Sequence, residues 1–355
     1  MPVKKLSIEE FIQRSAGHPV LDVRSPGEYD HGHIPHAISL PLFSDEERKI
    51  VGTTYKQKSR EAAIKTGLDF FGPKMRSMVE ETEEIISALT SKNNSKTVFV
   101  HCWRGGMRSN AVAWLLDLYG FQLFLLQGGY KAYRHWVLQQ FEKDYQLRIL
   151  GGYTGSGKTP VMYQLIQCGE KTIDLEGLAH HKGSAFGALG QPQQPRQEMF
   201  ENLLAEQLFL QCNTSLTPVW IEDESQRLGI LNIPASFWDT MRCKPVYFMD
   251  IPFEERLKYI TKEYGIHEKE KLLNAVIRIQ KRLGPLETKM AIGFLLEDKL
   301  KECFRILLGY YDKLYGKALL NRDSDASLIK ISCTSVETNV NTQNILTCEK
   351  ADILS

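Results

Sequence analysis

The sequence predicts an α/β protein of two parallel-sheet units, the second carrying a helical C-terminal region. Three observations carry that expectation. Short apolar runs at residues 20–23, 98–100, 121–126, 147–150 and 245–249 alternate with helically spaced stretches such as 80–89 and 110–119, the pattern of β-α-β connections. Two of these runs pass directly into glycine-rich loops, one holding a cysteine and the other reading GGYTGSGKT. The chain has 355 residues, 43% apolar and 25% charged, which suits two ordinary globular units. The expected division is a first unit over 1–140, a second over 145–325, and a weakly structured tail over 326–355 with few large apolar residues.

Composition excludes several classes. No apolar run reaches the roughly 18–20 residues of a membrane span, and the N-terminus MPVKKLSIEEF reads as a strand and helix rather than a signal peptide. Seven cysteines without paired spacing and with no CxxC argue against a disulfide framework or a structural zinc site, and fit a reducing cytoplasm. Net charge is +1, so total charge says nothing about nucleic acid. Its distribution says more, because residues 256–322 hold 15 Lys/Arg against 8 Asp/Glu.

In the first unit, Val20, Leu21 and Val23 read as a buried strand with Asp22 and Arg24 at its end, followed by turns at Ser25-Pro26-Gly27 and Gly32-His33-Ile34-Pro35. Residues 37–42 read as a further strand. The stretch 44–76 is basic and amphipathic, suited to a helical insertion that is either simply solvated or a partner or nucleic-acid surface. The central motif is VFVHCWRGGMRS. Cys102 sits between a strand end and a helix start, with Ser109 expected as the helix N-cap. Backbone N–H groups freed by Gly105 and Gly106, the helix dipole, and the charges of Arg104 and Arg108 all favour an anion or a thiolate there. The residues alone leave other readings open. Cys102 could be a buried structural thiol, and its spacing to Arg108 equals that of cysteine-dependent phosphatases.

LDVRSPGEYDHGHIPHA, the Cys loop ending in Arg-Ser, and LQGGYKAYRHW occur in the order of a rhodanese (sulfurtransferase) domain, which residues 10–140 resemble. The resemblance implies that Cys102 carries a transferable chalcogen cradled by the loop amides, with Asp22 and Arg24 supporting the loop. The insertion at 44–76 is longer than a minimal domain of that kind needs.

In the second unit the strand 147–150 leads into Gly152-x4-Gly157-Lys158-Thr159, the P-loop pattern in its strand–loop–helix setting. Amides from Gly155 through Ser156, Gly157 and Thr159 would cradle a diphosphate, Lys158 would neutralise it, and Thr159 could reach a metal ion such as Mg2+; the metal requirement is left open. Strand 171–174 ends at Asp174 and Glu176, and strand 218–221 ends at Glu222, Asp223 and Glu224, an acidic end suited to metal or water as well as to plain surface. His180, His181, Lys182 and Ser184 form a glycine-flanked loop suited to phosphate or base contacts. Phe304, Leu307, Leu308, Tyr311 and Leu314 recur at helical spacing as a packing face, and Arg278, Lys281, Arg282 and Lys289 lie on the outer face, where they serve either a phosphate backbone or solvent.

The order of the two units, with DLEGLAHHKGSAFG, the IEDES strand end and YKQKS, is similar to the bacterial tRNA 2-selenouridine synthases over residues 5–320. The resemblance implies a transferase that S-geranylates 2-thiouridine at the tRNA wobble position with geranyl diphosphate. It then replaces the geranylthio group with selenium from selenophosphate, carried on Cys102 as S-selanylcysteine. No tightly bound cofactor is expected; the partners would be tRNA and a selenophosphate-producing enzyme, with no membrane. A P-loop kinase or ATPase with a regulatory domain, and a non-catalytic tRNA-binding protein, are the competing classes.

Overall fold

In the computed structural model, residues 3–89, 96–212, 217–322 and 327–354 are described. The chain divides into two compact units, 1–139 and 140–355.

The first unit runs β1 (Lys4–Leu6), α1 (Ile8–Ser15), β2 (Val20–Asp22), α2 (Pro26–His31), β3 (Ile38–Ser39), α3 (Asp45–Gln57), α4 (Arg60–Phe71), α5 (Met75–Leu89), β4 (Thr97–His101), α6 (Met107–Tyr119), β5 (Gln122–Leu126) and α7 (Gly129–Gln140). Its five strands pair in parallel in the order β1-β5-β4-β2-β3. Each start is written locally. Ser7 with Glu10 and Ser44 with Glu47 form reciprocal capping boxes, and Ser59 caps the Ala62 N–H. Val98, Val100, Leu123 and Leu125 sit at the sheet centre and pack against Val112 and Leu116 of α6. This places Cys102 where a central parallel strand ends, the position at which such sheets bind ligands.

Two local expectations are corrected. The strand expected over 37–42 is regular only at Ile38–Ser39; beyond it the Leu40 and Leu42 N–H groups still donate to the Asp22 and Val23 carbonyls at 2.9 and 3.4 Å while their side chains fill the core. Helix α6 begins at Met107 with Gly106 as its N-cap, so Ser109 lies inside the first turn. The insertion forms the α3–α4 hairpin, and α3 buries no residue.

The second unit runs β6 (Leu147–Gly152), α8 (Lys158–Gln167), β7 (Thr172–Ile173), α9 (Leu175–Ala179), α10 (Gln197–Cys212), β8 (Val219–Glu222), β9 (Arg227–Leu228), β10 (Leu231–Asn232), α11 (Ala235–Arg242), β11 (Val246–Asp250), α12 (Phe253–Tyr264), α13 (Lys269–Leu283), α14 (Pro285–Leu296), α15 (Leu300–Leu320), β12 (Leu328–Ser332) and α16 (Thr338–Leu354). Its main sheet is parallel throughout in the order β12-β11-β6-β8-β7, with β9 and β10 as a short antiparallel ribbon. Helices α12 to α15 form a separate apolar cluster around Leu257, Val276, Leu295 and Leu308.

The weakly structured tail is overturned. β12 pairs with β11 over five residues, and Ile331, Cys333 and Ile345 join the core under α8. The segment hid in the sequence because an edge strand buries one face and α16 packs with small polar residues. Asn341 and Thr342 are buried, their side chains bonded to the Ser335 and Thr338 carbonyls at 2.9 and 2.8 Å. Among the described residues no helix is long and apolar enough to cross a membrane.

Candidate functional site

The cysteine loop is held from below and from the side. Beneath it, Asp22 and Arg24 are both fully buried. The Arg24 Nε donates to both Asp22 carboxylate oxygens at 2.9 Å, its Nη2 donates to the Gly32 carbonyl at 2.8 Å, and its guanidinium stacks 3.8 Å over the Tyr130 ring. Burial opposes ionisation of Asp22, but the neighbouring His101 and Arg24 hold its carboxyl below the usual range. Burial also keeps His101 neutral, its pKa lowered to about 4. These groups are out of reach of a substrate and act as supports.

From the side, the start of α7 clamps the loop. Tyr130 N–H donates to the Cys102 carbonyl at 2.8 Å and Lys131 N–H to the Trp103 carbonyl at 2.9 Å. Gly129 lies at φ +62, and a Cβ there would come within 2.8 Å of Arg104 N and closer still to Cys102 O and Gly105 N. The LQGG motif is therefore the counter-surface of the cysteine loop. Cys102 is 3% exposed, with Ser109 Oγ 3.2 Å from its Sγ. Ser109 also donates to the Gly106 carbonyl at 3.2 Å, so it orders the loop from within the helix.

Arg104 and Arg108 divide. Arg104 is exposed, whereas Arg108 Nη1 donates to Glu28 Oε2 at 2.7 Å. Glu28 was not singled out from sequence. Its signal is the Ser25-x-x-Glu28 capping box of α2, whose carboxylate also accepts from Ser25 N at 3.1 Å and Arg48 at 3.3 Å. Burial raises its pKa, but Arg108 and the Ser25 amide outweigh that and leave it lowered. Arg108 is thus oriented by a fixed carboxylate, while Arg104 is free to follow an anion.

In the second unit a cavity of about 970 Å³ opens on the P-loop. β6 ends at Gly152, and α8 begins at Lys158 with Gly157 as its N-cap, so the amides of the turn point into the cavity. Gly155 lies at φ +81, and a Cβ there would meet Ile260 at 2.7 Å, so α12 packs directly on the loop. Arg256 of α12 pins it further. It is 3% exposed, donates to the Thr154 and Ile251 carbonyls at 3.1 Å, and pairs with Asp312 at 2.8 Å. Tyr315 of α15 accepts from the Gly152 N–H at 3.3 Å, and Asp223 is occupied by Tyr315 and Arg322.

Lys158 Nζ donates to the Gly152 carbonyl at 3.4 Å. Burial pulls its pKa down, but Glu224, Glu176, Glu222 and Asp223 together raise it, so the ammonium is firmly charged. The same crowding acts on the acids. Burial first, then repulsion from neighbouring carboxylates that include Asp174 and Asp223, raises Glu176, Glu222 and Glu224, the last to about 8. Thr159 Oγ1 donates to Glu176 Oε2 at 2.9 Å. Glu222 lies fully buried behind the wall, while Asp174 lines the cavity and caps α9.

Lys182 and Ser184 line the cavity, with Lys182 paired to Glu263 at 2.6 Å. His180 and His181 do not line it, a correction to the expected loop. His180 turns away at φ +50 to the Gln193 carbonyl, and His181 is buried with its ring against the backbone at Gly187 and Gly229. The α15 stripe also needs correction. Phe304, Leu307 and Leu308 are core, but Tyr311 and Leu314 line the cavity with Tyr259, Ile260, Tyr264 and Trp238. The cavity therefore joins the amides of the P-loop to a lining that is partly aromatic and aliphatic. Among the described residues no three His, Cys, Asp or Glu side chains form a ready metal cage.

Fold and sites define a two-domain protein in which a rhodanese-like cysteine domain precedes a P-loop domain. A model of the rhodanese-like domain matches residues 7–135, and a model of the tRNA 2-selenouridine synthase AAA domain matches residues 145–345. The chain belongs to the tRNA 2-selenouridine synthase family. It is 34% identical to the synthase of Sulfurovum sp. (strain NBC37-1), with 90% of this chain and 93% of that one covered. It is 34% identical to that of Nitrosomonas europaea (81% and 74% covered) and 36% identical to that of Shewanella sediminis (70% and 66%).

Proposed function

We propose that the chain is a cytoplasmic tRNA-modifying transferase that converts wobble 2-thiouridine to 2-selenouridine in two steps, S-geranylation by geranyl diphosphate and then selenation from selenophosphate. The observation that carries the first step is the composite cavity. A P-loop cradle binds a diphosphate whatever is attached to it, and a wall of Tyr259, Ile260, Tyr264, Tyr311 and Leu314 suits an isoprenoid rather than a nucleoside. The thiouridine sulfur attacks the allylic carbon, the C–O bond breaks, and its electron pair leaves on the diphosphate. Lys158 and the amides of residues 155–159 stabilise that developing charge. Alkylation turns the ring sulfur into a competent thiol leaving group.

In the second step Cys102 carries the selenium as S-selanylcysteine, charged from selenophosphate with a disulfide as the two-electron acceptor and phosphate released to water. The loop amides with Arg104 and Arg108 hold that anion while its selenium attacks C2 of uracil, the C2–S bond breaks with its electron pair leaving on geranylthiolate, and a thiol then cleaves the S–Se bond to free Cys102. The Thr159 hydroxyl and the Glu176 carboxylate, 2.9 Å apart, are hard oxygen donors that fit Mg2+. Such an ion would offset the carboxylates that crowd a bound diphosphate. The selenophosphate-producing enzyme is the expected supplier.

The test is nucleoside mass spectrometry of tRNA treated with each variant. Cys102→Ser should stop at the geranylated nucleoside, and Lys158→Ala should form none. Selenouridine from Cys102→Ser would end the carrier role. ATP hydrolysis without tRNA, together with no consumption of geranyl diphosphate, would favour a nucleotide enzyme instead.

A further inference from the structure

The α3–α4 hairpin seats Phe71, Phe70 and Val51 against the first unit's core, and that contact does not account for the make-up of its outer face. Helix α3 buries none of its residues. Residues 48–65 carry Arg48, Lys49, Lys56, Lys58, Arg60 and Lys65 against the acid Glu61. Among the described residues only Arg48 of these six cations forms a salt bridge, to Glu28 at 3.3 Å. The tip of the hairpin sets Lys56, Lys58 and Arg60 beside Tyr55, which is 54% exposed. Cations outside any salt bridge next to an exposed ring are what a nucleic-acid backbone and an unstacked base require.

The hairpin is also tied to the cysteine loop. The Asp45 carboxylate at the start of α3 accepts from the Gly27 N–H at 3.1 Å, and Arg48 shares the Glu28 carboxylate with Arg108. The 13 residues of α3 extend roughly 20 Å from that anchored end, the span of several backbone phosphates.

The geometry points to the α3–α4 hairpin as an RNA-docking surface: Lys56, Lys58 and Arg60 contact tRNA phosphates, Tyr55 stacks on a base, and the anchored end of α3 keeps the bound strand beside the Cys102 loop. This inference rests on the reading of the chain as a tRNA-modifying enzyme.

The experiment is fluorescence anisotropy of a labelled, unmodified tRNA transcript, titrated with the full chain between about 50 and 200 mM KCl. The triple variant Lys56→Gln/Lys58→Gln/Arg60→Gln should bind roughly tenfold or more weakly, and the slope of log K against log salt should fall by about 2, at ~0.7–0.9 per lost phosphate contact. Tyr55→Ala should weaken binding about tenfold with the slope unchanged, since stacking releases no counterions. Wild-type slope and affinity in both variants would overturn the inference, as would losses confined to Lys281→Gln/Lys289→Gln, which would put the RNA on α13–α14. If the wild-type chain fails to bind tRNA at any salt, the tRNA reading itself fails and takes this inference with it.

Discussion

Gly129→Ala tests whether the cysteine loop owes its shape to the start of α7, and Gly120→Ala supplies its reference. Both glycines are left-handed, at φ +62 and φ +105. Gly120 ends α6 with nothing within 4 Å of a built Cβ, so alanine there carries only the conformational penalty of about 1–2 kcal/mol. A methyl group added at Gly129 would press on the backbone at Cys102, Arg104 and Gly105, none of which is the yielding end of a flexible side chain. Moving that loop adds roughly 1–3 kcal/mol of overpacking, for a total of about 2–5. For a unit of this size, that corresponds to a fall of roughly 6–20 °C in Tm for Gly129→Ala, against roughly 3–8 °C for Gly120→Ala. Calorimetry of the full chain should show the shift in the first unit's transition alone. Selenation should be lost while geranylation persists, because the P-loop lies in the other unit. Equal Tm values for the two variants would refute the clamp.

Other outcomes follow from the second unit. Glu206 is half-buried with its Oε2 shielded from solvent and without a hydrogen-bond partner among the described residues, and burial raises its pKa to about 7. A raised carboxyl is stabilising below its unfolded value and loses that contribution as pH climbs through the folded one. Glu206→Gln should therefore remove a pH-dependent decline of about 3 kcal/mol between roughly pH 4.5 and 8, read from urea unfolding across that range. Asp312→Ala strands the buried Arg256 guanidinium and should cost about 3–5 kcal/mol, with Asp312→Asn milder; diphosphate binding by calorimetry should weaken because Arg256 holds the Thr154 carbonyl. Removing residues 327–355 deletes β12 and α16 and should abolish the cooperative unfolding of the second unit while sparing that of the first.

Much of the molecule is local in origin, and the sequence alone determined it. Ser-x-x-Glu boxes start α1, α2 and α3, apolar runs mark the central strands, and the P-loop and cysteine loop follow from residues adjacent in the chain. Helix starts and turns depend on groups a few residues apart, so spacing suffices. What the tertiary structure decided involves partners far apart in sequence. Glu28 reaches Arg108 across 80 residues and Asp312 reaches Arg256 across 56. The cavity wall draws Tyr259 from α12 and Tyr311 from a stripe that read as a plain packing face. Residues 328–354 showed only a weak apolar signature, because an edge strand and a helix seated by Asn341 and Thr342 take their stability from a sheet only the folded chain supplies. His180 and His181 lie beside the cavity in sequence but outside its lining, because a left-handed turn at His180 points both away. Periodicity and motif report which groups are present and how the chain begins to fold. Which charged groups meet, and which ring faces a ligand, is set by packing between elements that no local pattern encodes.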